Sequence, residues 1–576
     1  MKRKQRHRLR AAIVGGLFFA WFVAIGVRAG YVQLYNGNWL SHQAAGRYER
    51  EVTLKGKRGT VYDRRHETLA MSIETTSVAA YPGMIEDKAR AAADLARALG
   101  LEAKEVRRRL DSGRSFVWIK RQAGPKETAA VRALKLSGVG FLPEHSRFYP
   151  NGVLAAQVLG FTGVDGQGLE GLEFYYNGDL QGENATVTVV RDARGRGFGT
   201  LAEQAAPRAG GDLVLTIDRQ VQFIAEQALT EAVSEYQAQS GMALVMVPRT
   251  GELLAVAQYP SFNPNAFGRS DRATWRNRAI TDPFEPGSTL KIFSAAAALE
   301  HNISAPDTIY YCENGTYRVA GHTVNDTKPH GWLSLQQIVK YSSNIGAVKL
   351  VEQMGPRLLH TTLEGFGFGT RTGIDCPGES PGALSHYKRW TVVDTGAIAF
   401  GQGVSVTALQ MIGAAAALAN DGILMRPYVV QAVLGPDGQP VRTTTPEALR
   451  QVVSPQTALT IRRIMHSVVT EGGTGVQADV PGYAVSGKTG TAQKIDRTGS
   501  YSRDRFIASF VGFAPTERPA IAVLVVIDEP GKAIYGGLVA APVFSRIVRE
   551  TLGYLDVPPG GHLPKLRVAV DAEVQG

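Results

Sequence analysis

Ser288 and Lys291 stand three residues apart in Pro286-Gly-Ser-Thr-Leu-Lys291, at the start of an alanine-rich stretch that reads as a helix. On a helix, that spacing puts both side chains on one face. A serine hydroxyl becomes a useful nucleophile only when a base takes its proton. A lysine serves as that base only when burial or a neighbouring positive charge lowers its pKa. Two further patterns supply the remaining parts. In Ser342-Ser343-Asn344, the Ser342 hydroxyl suits a proton relay to a leaving amine. The Asn344 amide suits a substrate amide and the Lys291 ammonium. In Lys488-Thr489-Gly490-Thr491, on a run from Tyr483 that reads as a strand, Lys488 and the threonine hydroxyls suit a carboxylate. Gly490 lets a substrate backbone lie against that strand. The backbone amides of Ser288 and Thr491 complete an oxyanion hole, worth about 3–4 kcal/mol per donor. Together these groups describe acyl transfer through a serine ester.

Each pattern alone is weak, and the chain contains decoys. Ser385-His-Tyr-Lys388 repeats the first spacing and Ser261-Phe-Asn263 the second. A capping or surface serine is the ordinary explanation of any single match. The set carries the weight, because all three patterns occur in order and each falls on the element type its role needs. Two rival motifs fail on context. Gly378-Glu-Ser380-Pro-Gly382 fits a nucleophile elbow, but Pro381 has no N–H for the oxyanion hole. Gly482 to Thr489 fits a phosphate-binding loop, yet Gly490-Thr491 follow where a helix must open. No zinc helix motif occurs, and neither a metal nor a cofactor is expected. His322, His330 and His386 read as surface or structural.

The elements that must position these groups follow from periodicity. Asp212 to Asp218 reads as a strand and Arg219 to Tyr236 as an amphipathic helix. Ala243–Val247 and Leu253–Ala257 flank Pro248-Arg-Thr-Gly251 as a hairpin. Small-residue helices are expected at Ser288–Glu300 and Ala408–Asn420, apolar strands at Ile507–Ala514 and Ile521–Ile527, and a closing helix at Val543–Leu552. Strands at both ends with helices between imply an α+β fold, an antiparallel sheet flanked by helices. Before Gly210-Gly211 the chain mixes short strands and helices, with helical spacing from Glu86 to Leu110 and a strand at Thr186–Arg191.

The formal charge of +11 invites a nucleic-acid reading, which its distribution excludes. Lys2, Arg3, Lys4, Arg6, Arg8 and Arg10 crowd the first ten residues, and an uncharged run follows from Ala11 to Val27. As a helix that run covers about 25 Å, a little less than a bilayer core. Arg28 can snorkel outward, and Tyr31 and Tyr35 suit the interface. The basic flank makes an uncleaved anchor with its N-terminus inside, placing the rest outside the cytoplasm. A signal peptide would have a shorter apolar region and a small-residue cleavage site. Cys312 and Cys376 could pair in an oxidising compartment, and two buried free thiols are the favoured reading.

These residues resemble the class B penicillin-binding proteins, and more narrowly their division type, FtsI. The resemblance runs from the anchor to about Leu552. It rests on Phe284-Glu-Pro-Gly-Ser-Thr-Leu-Lys291, Tyr341-Ser-Ser-Asn-Ile-Gly346, Thr372-Gly-Ile-Asp-Cys-Pro-Gly-Glu379, Ala399-Phe-Gly-Gln-Gly403 and Ser486-Gly-Lys-Thr-Gly-Thr-Ala492. In the first half it rests on Arg58-Gly-Thr-Val-Tyr-Asp63, Arg147-Phe-Tyr-Pro150 and Gly168-Leu-Glu-Gly-Leu-Glu173. It implies a penicillin-binding transpeptidase fold on an elongated pedestal, divided as a basic tail (1–10), an anchor (11–35), a pedestal or dimerisation-type domain (36–210), a transpeptidase domain (211–555) and a flexible tail (556–576). It implies a peptidoglycan D,D-transpeptidase of septal wall synthesis, acylated at Ser288 by D-Ala-D-Ala stem peptides and by β-lactams. Implied partners are a SEDS-type glycan polymerase and other division proteins at the cytoplasmic membrane. Arg58, Asp63, Glu144, Arg147 and Glu170 are expected to form a charged network at the pedestal. The alternatives are an elongation-type transpeptidase, a β-lactamase, a β-lactam sensor and a non-catalytic division scaffold.

Overall fold

The structure, a computed structural model, describes residues 2–37, 39, 49–191, 197–201, 207–496 and 498–559. Most of the expected flexible tail therefore lies outside the described residues. The chain forms two compact units, Met1–Lys57 with Gly182–Ala209, and Arg58–Gln181 with Gly210–Gly576.

In the first unit, one helix runs from Lys2 to Gly30 and passes into a π-helical turn, Tyr31–Tyr35. It takes in the basic residues as well as the apolar run, because nothing between them breaks a helix. Phe18, Phe19, Trp21 and Phe22 are all exposed among the described residues. The helix is long and apolar enough to cross a membrane. Tyr31 and Tyr35 stack at 5.4 Å, and the Arg28 guanidinium sits 5.8 Å over Tyr31. The same unit holds a small sheet in which Glu49–Leu54 pairs antiparallel with Ala185–Arg191, and Gly197–Leu201 adds on.

In the second unit, Thr68–Ala80 pairs with Val139–Phe148 on one edge and with Val117–Ala123 on the other. The helical run from Glu86 to Leu110 is two helices, Lys88–Leu99 and Ala103–Leu110. Gly100 divides them by taking φ 65°, the left-handed stop that glycine makes cheaply. Val61–Tyr62 pairs with Thr68–Ala80 and lies parallel to Asp212–Leu215. Asp212–Leu215 pairs in turn with Val430–Leu434. One seven-stranded sheet thus contains strands from both halves of the sequence. The Asp212 strand is shorter than expected, because Asp218 already caps the Arg219–Glu235 helix by accepting from Gln220 and Val221 N–H.

The charged network forms with different members. Glu173 is its centre, held by Arg58 Nε and Arg147 Nε, each at 2.6 Å, with Tyr149 Oη donating at 3.2 Å. All three charged side chains are buried. Burial pushes the Glu173 carboxyl up, but Arg147 and Arg58 outweigh it and hold the group below the usual range. Glu144 belongs to a separate pair with Arg121 at 2.7 Å, and Asp63 accepts from the Arg65, Glu67 and Arg219 amides. Glu170 is the residue before the Gly171–Tyr175 helix, and its expected place is taken by Glu173 one turn on.

A second sheet has five antiparallel strands in the order Leu253–Tyr259, Ser240–Met246, Ile521–Asp528, Tyr501–Ala514, Ser486–Ile495. Its central strands are buried on both faces, which is why they read as continuous apolar runs. Alternation divides their side chains. Ala243, Val245, Val523 and Val525 join the core with the Arg219–Glu235 and Ala541–Tyr554 helices. Met242, Leu244, Ala522 and Leu524 join the core with Lys291–Glu300 and Ala408–Ala419. Every residue of Ala408–Ala419 is buried, so its small side chains let neighbours approach from all sides.

Candidate active site

Ser288 lies on a tight 3-10 turn, Gly287–Leu290, that runs directly into the helix Lys291–Glu300. Three glycines make room for this turn. Gly287 has φ 55°, and a Cβ there would lie 3.0 Å from the Thr491 carbonyl oxygen. A Cβ on Gly401 would lie 2.0 Å from the Gly287 oxygen, and one on Gly490 would lie 2.9 Å from Thr289 Cγ2 and 3.0 Å from the Pro286 oxygen. Gly490 therefore gives room first to the protein's own serine turn. Gly287 N–H donates to the Gly401 oxygen at 3.1 Å, and Glu285 Oε1 accepts from Gly403 N–H at 2.8 Å and from Tyr501 Oη at 3.2 Å.

Ser342 closes the helix Leu335–Tyr341 in the left-handed conformation, φ 63°. Ser343 then caps the next helix, Asn344–Met354, accepting from Gly346 N–H at 2.9 Å. A left-handed serine is uncommon, and here it turns the side chains of Ser342 and Asn344 toward Lys291. Lys291 Nζ lies 3.1 Å from Ser288 Oγ, 2.6 Å from the Ser342 carbonyl oxygen, 3.2 Å from Ser342 Oγ and 2.7 Å from Asn344 Oδ1. Lys488 Nζ reaches the same Ser342 Oγ at 3.0 Å, and Thr489 Oγ1 at 3.3 Å. The four groups form an unbroken path, Ser288 Oγ to Lys291 Nζ to Ser342 Oγ to Lys488 Nζ.

Both lysines are buried, with 2 % exposure for Lys291 and none for Lys488. Burial lowers the Lys291 pKa to about 7, against the opposing pull of Asp326. Lys488 is pushed well below its ordinary value, by burial first and by Lys291 second. Desolvation is thus the main cause for both, with the second positive charge adding at Lys488. All three patterns converge, and the decoys do not. Lys388 is exposed, Ser385 Oγ accepts from the Trp390 indole at 2.9 Å, and Asn263 caps the turn Pro264–Arg269. Gly482 to Thr489 leads into the strand Ser486–Ile495 and opens no helix. Cys312 and Cys376 are free and buried, and burial raises both thiols.

Residues 241–549 match the penicillin binding protein transpeptidase domain family, and residues 53–215 the penicillin-binding protein dimerisation domain family. The chain belongs to the penicillin-binding proteins. This penicillin-binding protein is 36% identical over 549 residues to the probable peptidoglycan D,D-transpeptidase PenA of Neisseria meningitidis, covering 94% of this chain and 92% of the relative. It is 36% identical over 563 residues to stage V sporulation protein D of Bacillus subtilis (96% and 86%), and 32% identical over 572 residues to peptidoglycan D,D-transpeptidase FtsI of Escherichia coli (97% and 94%). Among solved structures, penicillin binding protein 3 of Mycobacterium tuberculosis in complex with aztreonam is similar, with TM-score 0.70, 30% identity, and coverage of 88% of this chain and 98% of that one. The transpeptidase fold, the pedestal and the class B assignment expected from the motifs are therefore correct.

Three residues at the candidate site are not singled out for it by the sequence. Thr474 Oγ1 lies 3.0 Å from Thr489 Oγ1, Gly536 N–H donates to Thr491 Oγ1 at 3.2 Å, and Asp326 accepts from Ser343 Oγ and Asn344 N–H. Thr474 and Asp326 belong to no short pattern. Each reaches the site through a contact between segments far apart in sequence.

Proposed function

We propose that this chain is a membrane-anchored class B D,D-transpeptidase that joins peptidoglycan stem peptides, with Ser288 as nucleophile. One observation carries the reading: a single hydroxyl, Ser342 Oγ, sits between two buried lysine amines, and one of these is 3.1 Å from Ser288 Oγ. Neutral Lys291 takes the Ser288 proton as the Oγ–carbon bond forms on the penultimate D-Ala carbonyl. The amides of Ser288 and Thr491 hold the oxyanion. The carbon–nitrogen bond to the last D-Ala breaks as Lys291 returns the proton through Ser342 Oγ to the leaving amine. An amine of a neighbouring stem then attacks the ester; Lys291 takes one of its protons and passes it to Ser288 Oγ as the bond between that oxygen and the acyl carbon breaks, so the free serine and the neutral lysine are restored. Lys488, Thr489 and Thr491 bind the terminal carboxylate, whose charge offsets the burial cost of an ammonium at Lys488. Asn344 steadies Lys291 and the substrate amide, and Gly490 keeps the strand edge open.

The same proposal covers placement. Residues 11–35 anchor the chain with its basic end inside, 36–210 act as the pedestal, and 211–555 carry the catalysis outside the cytoplasm. Septal work with a SEDS-type polymerase is favoured over side-wall elongation by Phe284-Glu-Pro-Gly and Tyr535-Gly-Gly-Leu-Val-Ala-Ala541. The test is incubation with a fluorescent penicillin, digestion and mass spectrometry of the labelled peptide. A stable adduct on Ser288, absent in Ser288→Ala, is expected. A folded protein with no adduct, or rapid turnover of the penicillin, would overturn the assignment. Filamentation on depletion is expected for the septal role, and rounding would reverse it.

A further inference from the structure

Asn325 ends a short strand, His322–Asn325, and with Asp326, the next residue, meets the turn that carries the second motif. Asp326 Oδ2 accepts from Ser343 Oγ at 2.6 Å. Its Oδ1 accepts from Asn344 N–H at 2.5 Å and Ile345 N–H at 3.1 Å. Asn325 contributes its backbone oxygen, which accepts from Asn344 Nδ2 at 2.8 Å and leaves Asn344 Oδ1 to Lys291. One carboxylate thus fixes the first turn of the Asn344–Met354 helix, where negative charge is also favoured. We propose that Asp326 is a positioning residue for acyl transfer: it locks the Ser342–Asn344 turn against Lys291 and places a negative charge close to the Lys291 amine.

The inference rests on the reading of Ser288 as nucleophile and Lys291 as its base, and extends it to a residue that touches neither substrate nor Ser288. The charged surroundings are few. Lys488, on the strand Ser486–Ile495, is itself pushed well below its ordinary value by burial first and by Lys291 second. Around Asp326 lie Cys312 and the Lys349–Glu313 pair. An asparagine at 326 keeps the acceptor for the Asn344 and Ile345 amides, and its Nδ2 can donate to Ser343 Oγ. Shape is retained while one charge is removed and all others stay. Alanine removes both. The supporting electrostatics are simple: the Asp326 charge favours the Lys291 ammonium, and without it the amine becomes neutral at lower pH.

The test is the acylation rate of the full chain by a fluorescent penicillin between pH 5.5 and 9, for the wild type, Asp326→Asn and Asp326→Ala, with melting temperatures alongside. The wild type is expected to show a rising limb near pH 7. In Asp326→Asn that limb moves down by about one pH unit, so the rate at pH 6 relative to its own plateau rises about fivefold. In Asp326→Ala the limb moves likewise and the plateau falls about tenfold or more, because Asn344 is no longer held. If Asp326→Ala does not fold, Asp326→Asn decides alone. A limb that stays in place in folded Asp326→Asn overturns the inference while leaving Lys291 as the base. A wild type with no adduct, or with a rate flat across pH 7, overturns the underlying reading and this inference with it.

Discussion

Burial lowers the Lys291 pKa to about 7, so on the proposed mechanism part of the protein carries an uncharged base at ordinary pH. Acylation is expected to fall about tenfold per pH unit below pH 7 and to level off above it, read as the pH profile of penicillin labelling. Lys291→Arg replaces a group that can lose its proton by one that cannot, and should lower acylation by roughly 10²–10⁴-fold with the melting temperature nearly unchanged. Ser342→Ala removes the hydroxyl shared by the two lysines and should cost about 10²-fold in the same assay. At this scale the sequence was informative. Serine, lysine and asparagine at fixed short spacings are chemical choices that folding does not alter. Asp326 and Thr474 are hidden because each lies outside any short motif and acts through a residue 18 and 15 positions away respectively, and no short spacing records that.

Elements hold these groups by contact more than by chemistry. The serine turn is clamped between the strand edge at Gly490–Thr491 and the Gly401–Gly403 loop. Gly401→Ala would put a Cβ 2.0 Å from the Gly287 backbone oxygen at a φ of 87°, and the turn must shift. A displacement near 1 Å at the nucleophile costs about 10²-fold, so acylation should drop by at least that much in a protein that still folds. The pedestal has its own clamp. Glu173→Gln would leave Arg58 and Arg147 buried without their carboxylate, which should cost about 3–5 kcal/mol in urea unfolding. Because the folded Glu173 carboxyl is held below its unfolded value, its contribution is complete above the unfolded pKa of about 4.3. It is lost as pH falls through the lower folded value, so the gap between wild type and variant should narrow below pH 4. The sequence placed glutamates at both 170 and 173 of one motif. Which one turns inward is settled by the start of the helix at Gly171, and short motifs say little about such starts.

At the scale of the whole molecule, the exposed apolar helix should govern solubility while leaving the chemistry alone. A chain beginning at residue 49 is expected to stay in the aqueous phase of a detergent phase separation and to label with penicillin at the full-length rate. The full chain should enter the detergent phase. Most of the architecture was legible. The two-sided burial of Ser240–Met246 and Ile521–Asp528 shows as unbroken apolar runs, and the covering helices show as small-residue stretches. The break at Gly100 and the shared sheet were not legible. The first depends on a backbone angle, and the second pairs Val61–Tyr62 with a partner some 150 residues later.

That shared sheet also decides how the protein can be cut. Asp212–Leu215 is hydrogen-bonded on one side to Val430–Leu434 and on the other to Val61–Tyr62. A fragment starting at Gly211 would keep the first partner and lose the second. It would bare a row of unsatisfied amides and carbonyls beside Leu213 and Leu215, now both fully buried. Such an edge recruits strands from other molecules. Expressed without residues 58–181, the catalytic half should therefore self-associate through that edge, and the pedestal serves as its built-in guard against aggregation.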